Sequence, residues 1–539
     1  MKSSALPQRW LSHLSSLARA RPRVDRFAAI VSLLHFALLV YFSQFHELWR
    51  DEVRALNIVL DSGSPLDLMR NLHNEGHPIL WYAILYVGYG ILRTKTVLVA
   101  ASLLIAEAAV YVFAAYSPFP RWQRVLFAIG LFPLYEYSVM CRNYGLAMLL
   151  GFVFCALYPR RFERPIWFGF VIALFANATA FCAVIAAGTT SLWLIERVYV
   201  ELRQPRDALP PIAQPRARVA RTGLGLALAL LGIGLSVYVF RADSTSLFYR
   251  PQNITLDGTL AAWYAHLERP AVQLVDLFSL SGPLPLTVAV WLLTAYFLLR
   301  NPIIGLLFYG SIVSFDLFSA LIYAPAVRHK GLVYIVIVAV FWLDAQLPAR
   351  ELPRYVRAFC RALAPVVAVL VPVLFAVQAH AAYDALKLDR ARLMSGAKWL
   401  AHIIEANPAY ADAIVVGEPD LRIEALSYYV DNPIYQARDH RFGRKVNFSQ
   451  GSASNISLDQ LLSLARALAA REHKPVIVVL GPDLNPNGPF VSVHTFVKVF
   501  HYDPESLARF RAATRKIAVI RQNIAQIVDP EEFDVYVLR

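Results

Sequence analysis

Cysteine is scarce and scattered in this chain: Cys141, Cys155, Cys182 and Cys360 all lie in or beside apolar runs. No CxxC pair is present, so the sequence shows neither a disulfide framework nor a thiol-rich zinc motif. No GxGxxG follows the strand-like runs ending at Gly417 and Gly481, so a dinucleotide fingerprint is missing too. Internal repeats and low-complexity tracts are absent. The N-terminus also lacks the short apolar core and small-residue cleavage site of a signal peptide. Arg9, Arg19, Arg21, Arg23 and Arg26 instead precede an apolar run that ends in Phe42-Ser43-Gln44-Phe45. This predicts an uncleaved first span with a cytoplasmic N-terminus.

What is present is apolar. Of 539 residues, 57% are hydrophobic and 13% aromatic. Runs of about 17–25 apolar residues, each able to cross a hydrocarbon core, recur over roughly the first 380 positions. The remainder has mixed charge and shorter apolar runs, as a soluble domain would. The formal charge of +14 comes largely from arginines in short loops. That is the cytoplasmic bias of membrane proteins rather than a nucleic-acid groove.

Spans are expected near 27–45, 97–116, 124–140, 144–158, 165–177, 179–195, 222–240, 274–299, 302–323, 331–347 and 362–381. The apolar segment 77–92 is short and opens with His-Pro. If it crossed, the arginine-rich loops that follow would all fall outside; read as a non-crossing helix, it puts them inside. The result is a polytopic α-helical membrane protein of about 11 spans, with twelve or thirteen as the runner-up. The parts are a cytoplasmic N-terminus (1–26), a transmembrane domain (27–382) whose first outer loop is 46–95, and an extracytoplasmic α/β domain (383–539). A Pro- and Arg-rich linker, 197–221, divides the bundle. In the tail, helical periodicity fits 392–406 and 457–472, and strands fit 413–416, 475–480 and 533–538.

This topology gathers four segments on the outer face: 46–76, Cys141 to Tyr144, 241–270, and Ala326 to Lys330. Asp51 and Glu52, beyond the first span, suit a general base that takes a proton from an acceptor hydroxyl. The bland alternative pairs them with Arg50 and Arg54 on a solvated helix. In Asn74-Glu75-Gly76-His77-Pro78, glycine and proline force a turn that aims Glu75 and His77 at the same pocket, with Pro78 in the first helical turn. The alternative there is simple helix capping. A zinc reading of His46, His73, His77 and Glu75 matches no common ligand spacing. Arg142 with Tyr144, and Arg328 with His329 and Lys330, can grip a phosphate at headgroup depth or serve as snorkelling anchors. Asn177 reads as a helix cap. Asp316, inside a span, is either functional or a structural hydrogen-bonding group.

Taken in order, the first span, Asp51-Glu52, Glu75-Gly76-His77-Pro78 opening an apolar helix, Arg142-x-Tyr144 beginning a span, and Arg328-His329-x-Gly331 before another resemble a known family. They are similar to the multi-span GT-C glycosyltransferases of the protein O-mannosyltransferase and lipid A aminoarabinose transferase superfamily. The likeness covers the first ~200 residues best. It implies a sugar moved, with inversion, from a polyprenyl-phosphate carrier to a lipid, polysaccharide or protein acceptor outside the membrane. It further implies Asp51 as base with Glu52 beside it, Glu75 and His77 as positioning residues, and Arg142, Tyr144, Arg328, His329 and Lys330 as the donor-phosphate site. The usual double proline is Pro78-Ile79 here, and the first loop has no DxD, which leaves a divalent metal unsupported and no cofactor required. The expected setting is a bacterial inner membrane. The competing reading is a transporter or flippase for an envelope precursor, which should carry polar groups near mid-membrane.

Overall fold

A computed structural model describes residues 25–203, 215–241, 244–246, 264, 267, 274, 283–321, 325–347, 352–391, 394–481, 484, 490–495, 498–521 and 531–539. Most of the N-terminal segment 1–26, the middle of the 197–221 linker and most of the 241–270 loop lie outside the described residues.

The helices of the first part are α1 (Arg26–Ser43), α2 (Arg50–Leu60), α3 (Pro65–Asn71), α4 (Leu80–Leu92), α5 (Val97–Tyr116), α6 (Arg121–Ala128), α7 (Tyr144–Leu157), α8 (Pro165–Ala176), α9 (Ala180–Arg203), α10 (Pro215–Phe240), α11 (Pro283–Arg300), α12 (Pro302–Leu321), α13 (Val327–Gln346) and α14 (Arg354–Ala391). Seven of them (α1, α5, α9, α10, α11, α12 and α14) are each long and apolar enough to cross a membrane, and this is an integral membrane protein. Leu33 on α1 and Leu231 on α10 are each 70% exposed. Such a surface is a liability in water and at home in hydrocarbon.

The expected span 124–140 is not one continuous helix. Pro133 has no N–H to donate, and α6 gives way to a π-helical turn, Phe132–Glu136. There the amide of Tyr137 donates to the carbonyl of Phe132, five residues back, at 2.9 Å. Segment 77–92 forms the 13-residue α4. Its helix starts at Leu80 rather than at Pro78, so the proline precedes the first turn. Left-handed backbone at Asn74 (φ 65°) and Gly76 (φ 71°) makes the turn before it.

In hydrocarbon, helices associate by packing rather than by the hydrophobic effect. Gly169 and Gly225 let α8 and α10 touch backbone to backbone: a Cβ on Gly169 would lie 1.9 Å from the Gly225 carbonyl oxygen. A second lock is aromatic. The Phe113 ring centroid lies 4.0 Å from Phe127, 5.1 Å from Phe152 and 5.8 Å from Trp342, which joins α5, α6, α7 and α13.

Beyond α14 the chain builds α15 (Ala397–Glu405), β1 (Ile414–Glu418), α16 (Leu426–Tyr429), β2 (Ile434–Gln436), β3 (Arg441–Phe442), β4 (Asn455–Ser457), α17 (Leu458–Glu472), β5 (Val476–Leu480), β6 (Val491–Thr495), β7 (Lys498–Tyr502), α18 (Pro504–Ala513), β8 (Thr514–Ile520) and β9 (Phe533–Leu538). Six strands form one sheet in the order β3-β2-β1-β5-β9-β8, and β4-β7-β6 form a second. The strands β2, β1 and β5 are parallel. Alternation splits the inner strands between two cores. Ile414, Val416 and Val478 pack toward Leu461 and Leu462 of α17. Val415, Ile477 and Val479 pack toward Leu400 and Ile404 of α15. Burial on both faces explains why these strands read as unbroken apolar runs.

The sheet domain is joined to the first loop through α2. Arg54 donates to Glu424 (Nη1–Oε1 2.5 Å) and to both oxygens of Glu75 (2.8 and 2.9 Å). Asn57 donates to the carbonyls of Glu424 and Arg444, both at 3.1 Å. Lys445 reaches the Asn71 carbonyl at 2.8 Å. Replacing Arg54 by methionine strands two buried carboxylates. The expected cost is on the order of 3 kcal/mol, read as a lowered thermal unfolding midpoint in detergent; an unchanged midpoint would show that this joint adds nothing to stability.

Candidate active site

The amide end of α2 sets the centre. Trp49, at the cap position, offers no side-chain cap bond. Two carboxylates substitute: Glu531 accepts the Arg50 amide at 2.8 Å, and Glu52 accepts the Trp49 amide at 3.1 Å. Their oxygens satisfy amides that have no partner within the helix. Asp51, in the same first turn, is thereby held over the ends of α7 and α13. Its Oδ2 accepts from Arg142 Nη1 at 2.6 Å and from Arg328 Nη2 at 3.1 Å. Arg50 Nε reaches its Oδ1 at 3.4 Å. The Trp49 ring lies 5.4 Å from the Arg328 guanidinium carbon and 5.7 Å from that of Arg50.

Burial would raise the Asp51 pKa, but Arg142, Arg328 and Arg50 outweigh it and hold the carboxyl below the usual range. His77 moves the other way for an imidazole: burial, reinforced by Arg142, pushes it down to about 4. It is therefore neutral at physiological pH. Both shifts reflect one local field, in which cations outnumber the acid they surround.

The arginines are braced from behind. The Tyr137 hydroxyl donates to the Arg328 carbonyl at 2.7 Å, and its ring stacks on Tyr144 at 5.5 Å. Tyr144 meets His329 edge-on at 5.6 Å. His329 Nδ1 accepts the Ala326 amide at 2.9 Å, so the neutral ring carries its proton on Nε2. Lys330 is buried in the same turn. This assembly depends on Gly331: a Cβ there would fall 2.1 Å from the Phe132 ring and 2.5 Å from the Tyr137 hydroxyl.

The structure thus brings Asp51, Arg142, Arg328, Tyr144 and His329 together, with His77 in the same field. Glu52 and Glu75 are placed differently from the sequence expectation. Glu52 is fully buried at 0% exposure and directed to His46 (3.0 Å) and to the Cys141 amide (2.5 Å) rather than to the Asp51 cluster. Glu75 is paired with Arg54 and with Lys445 at 3.6 Å. Burial would raise its pKa, and Arg54 and Lys445 lower it instead. His46 and Glu75, two of the weighed zinc ligands, thus belong to separate networks. Among the described residues no cluster of three or more His, Cys, Asp or Glu is arranged for a metal ion. Asn177 donates to the carbonyls of Ala173 and Gly232 (2.9 and 2.8 Å), while its own carbonyl accepts the Leu80 amide at the start of α4. Asp316 is fully buried on α12. Sequence reasoning missed Glu531, Asp389 and Tyr137. Their partners lie far away in the chain, and no local pattern marks them.

An apolar cavity lies between α7, α8, α9, α12 and α13. Its lining includes Ala147, Ile172, Cys182, Leu307, Leu332 and Ile335 and is almost wholly apolar. Ala147 and Leu332 sit three residues, about one helical turn, beyond Tyr144 and His329.

No protein-family model matches the sequence, and no curated protein matches it. Solved structures offer distant likenesses. ArnT from Cupriavidus metallidurans bound to undecaprenyl phosphate superposes with a TM-score of 0.43 and 14% identity, covering 88% of this chain and 98% of that one. Its apo form gives a TM-score of 0.41 at 14% identity, over 95% and 97%. Arabinofuranosyltransferase AftD from Mycobacteria gives 0.31 at 13% identity, over 100% of this chain and 42% of that one. Likenesses this loose assign no residue a role; the chemistry must come from the side chains themselves.

Gly331→Ala should push α13 off the π-helical turn and separate Arg328 from Asp51. Overpacking of this kind costs about 1–3 kcal/mol. The variant should have a lower unfolding midpoint in detergent than wild type, whereas Gly310→Ala on α12, where a Cβ meets nothing within 4 Å, should not. Equal midpoints for the two would remove the close-contact argument.

Proposed function

We propose that the protein is an inverting glycosyltransferase that moves a sugar from a polyprenyl monophosphate to an acceptor hydroxyl on the extracytoplasmic face. The observation that carries this reading is one juxtaposition. Two guanidiniums, Arg142 just before α7 and Arg328 in the first turn of α13, converge on a carboxylate, and both helices run on into the lining of an apolar cavity. A lipid tail suits the cavity and a phosphate suits the guanidiniums, which offer forked donors to anionic oxygens. Arg328 Nε is buried with no hydrogen-bond partner among the described residues, leaving a donor for such an anion. A transport path would need polar groups along its length, and this lining offers little beyond the Thr189 hydroxyl.

The mechanism we propose uses these groups in turn. Donor phosphate competes with Asp51 for Arg142 and Arg328. As the guanidiniums turn to the phosphate, the carboxylate loses the charges that depress its basicity. Asp51 then takes the proton of the acceptor hydroxyl. The oxygen's electron pair forms the new bond to the anomeric carbon, while the old carbon–oxygen bond breaks and its electrons leave with the phosphate. The two arginines stabilise that leaving charge. His77, neutral, can orient substrate hydroxyls without adding a cation. The sugar is a hexose or pentose, and the acceptor is an envelope lipid, polysaccharide or protein. The sheet domain lies on the same side as the site, through its contacts with α2.

Asp51→Asn should lower kcat by roughly 10²–10⁴-fold in proteoliposomes given a polyprenyl-phosphate sugar, with donor still bound. Wild-type turnover would remove Asp51 as base. The pH profile offers an independent check. In the free enzyme Asp51 is depressed, so the acidic limb of kcat/KM should lie below the usual carboxylate range. The limb of kcat, which reports the bound state, should lie higher. No limb should appear near the ordinary histidine value, because His77 is already neutral above about 4. Coincident acidic limbs would contradict the competition for the arginines.

A further inference from the structure

Glu52 sits next to Asp51 in sequence yet takes part in a different network. His46, between α1 and α2, lies with Nε2 3.1 and 3.0 Å from the two Glu52 oxygens, and with Nδ1 3.1 and 3.0 Å from those of Asp389 at the end of α14. The three side chains are 2%, 0% and 3% exposed. An ionised carboxylate only accepts, so with both acids ionised both ring nitrogens must donate, and the ring is an imidazolium. Burial alone would lower the His46 pKa; Glu52 and Asp389 reverse that and raise it well above the ordinary value. The edge of the ring faces Tyr135 at 6.1 Å.

The far side of Glu52 holds backbone. Its Oε1 accepts the Cys141 amide at 2.5 Å, and its Oε2 accepts the Trp49 amide at 3.1 Å. Each of those residues adjoins part of the phosphate cradle. Cys141 precedes Arg142. The Trp49 ring packs 5.4 Å from the Arg328 guanidinium. One buried carboxylate therefore fixes the backbone beside one arginine and the aromatic platform of the other.

We propose that Asp389, His46 and Glu52 form a positioning relay that sets the spacing of Arg142 and Arg328, and that this relay, rather than any contact of Glu52 with substrate, determines affinity for the carrier phosphate. The proposal rests on the functional reading above for the identity of the anion. It assigns Glu52 to positioning, and it gives the long helix α14 a part in donor binding, since Asp389 lies in the last turn of that helix.

The test uses the full-length protein in detergent and a polyprenyl monophosphate as probe, with binding and transfer measured separately. Glu52→Gln removes the charge that His46 and the amides share. Asp389→Asn weakens the far end of the relay, away from the reacting groups. Thermal unfolding establishes that each variant is folded, and should Glu52→Gln not fold, Asp389→Asn carries the test. Expected is a weakening of carrier binding by roughly 10- to 100-fold for Glu52→Gln and a smaller loss for Asp389→Asn. The double variant should be less than additive, and the KM for acceptor should stay within about twofold. Unchanged carrier affinity in a folded variant overturns the relay. So does a kcat loss like that of Asp51→Asn at unchanged affinity, which would make Glu52 a reacting acid. Wild-type protein that binds the carrier but transfers no sugar overturns the glycosyltransferase reading, while the relay is still judged by the variants' affinities. Wild-type protein that does not bind the carrier overturns both.

Discussion

One carboxylate oxygen, Asp51 Oδ2, holds two guanidiniums from segments remote in sequence. Two like charges approach that closely only when a counter-ion stands between them. The separation of Arg142 and Arg328, the direction of α2 and the field felt by His77 all follow from that constraint. It also ties the acidity of Asp51 to the charges beside it. Occupied by both arginines, the carboxylate is a poor proton acceptor; once they are drawn to another anion, it regains basicity.

The two halves of the molecule meet on α2. One side of the helix carries Asp51 to the bundle; Arg54 and Asn57 bind the sheet domain. The N-terminus of α2 is capped by Glu531 from the last strand region, whose other carboxyl oxygen accepts the Ser395 hydroxyl. Burial raises Glu531 to about 8, so near neutral pH it caps the helix chiefly as a neutral hydrogen-bond acceptor. The sheet domain thus contributes directly to placing the first turn of α2, which carries Asp51.

Much of this was legible in the sequence because it was local. Long apolar runs announce α1, α5 and α12, since a membrane-crossing helix must satisfy its backbone within its own segment. The doubly buried strands β1 and β5 announce themselves as apolar runs bounded by Gly417 and Gly481. Loop charge put residues 51, 142 and 328 on one face, and the structure sets them within hydrogen-bonding distance. What stayed hidden depends on contacts across hundreds of residues. Glu52 looked like a partner of Asp51 because they are adjacent, but neighbours on a helix project about 100° apart, and only the fold shows that His46 waits on the other side. Pro133 was visible, but nothing local said that the chain would answer it with a π-helical turn instead of a kink.

The distribution of polar groups within the bundle carries a final point. Buried ion pairs are costly to desolvate and are often no more stabilising than apolar replacements. The aromatic cluster of Phe113, Phe127, Phe152 and Trp342 shows that this chain packs its helices without charge where only cohesion is needed. At the first turn of α2 it instead buries His46, Glu52 and Asp389 in one network and gathers Arg142 and Arg328 on Asp51 in another. Stability does not account for that choice, because apolar packing serves stability at lower cost. Placement does: a hydrogen bond fixes direction as well as distance, whereas dispersion contacts tolerate sliding. Two cations carried by segments remote in sequence need that directional control to be held on one carboxylate, and the buried hydrogen bonds of Glu52 to the Cys141 and Trp49 amides supply it beside them.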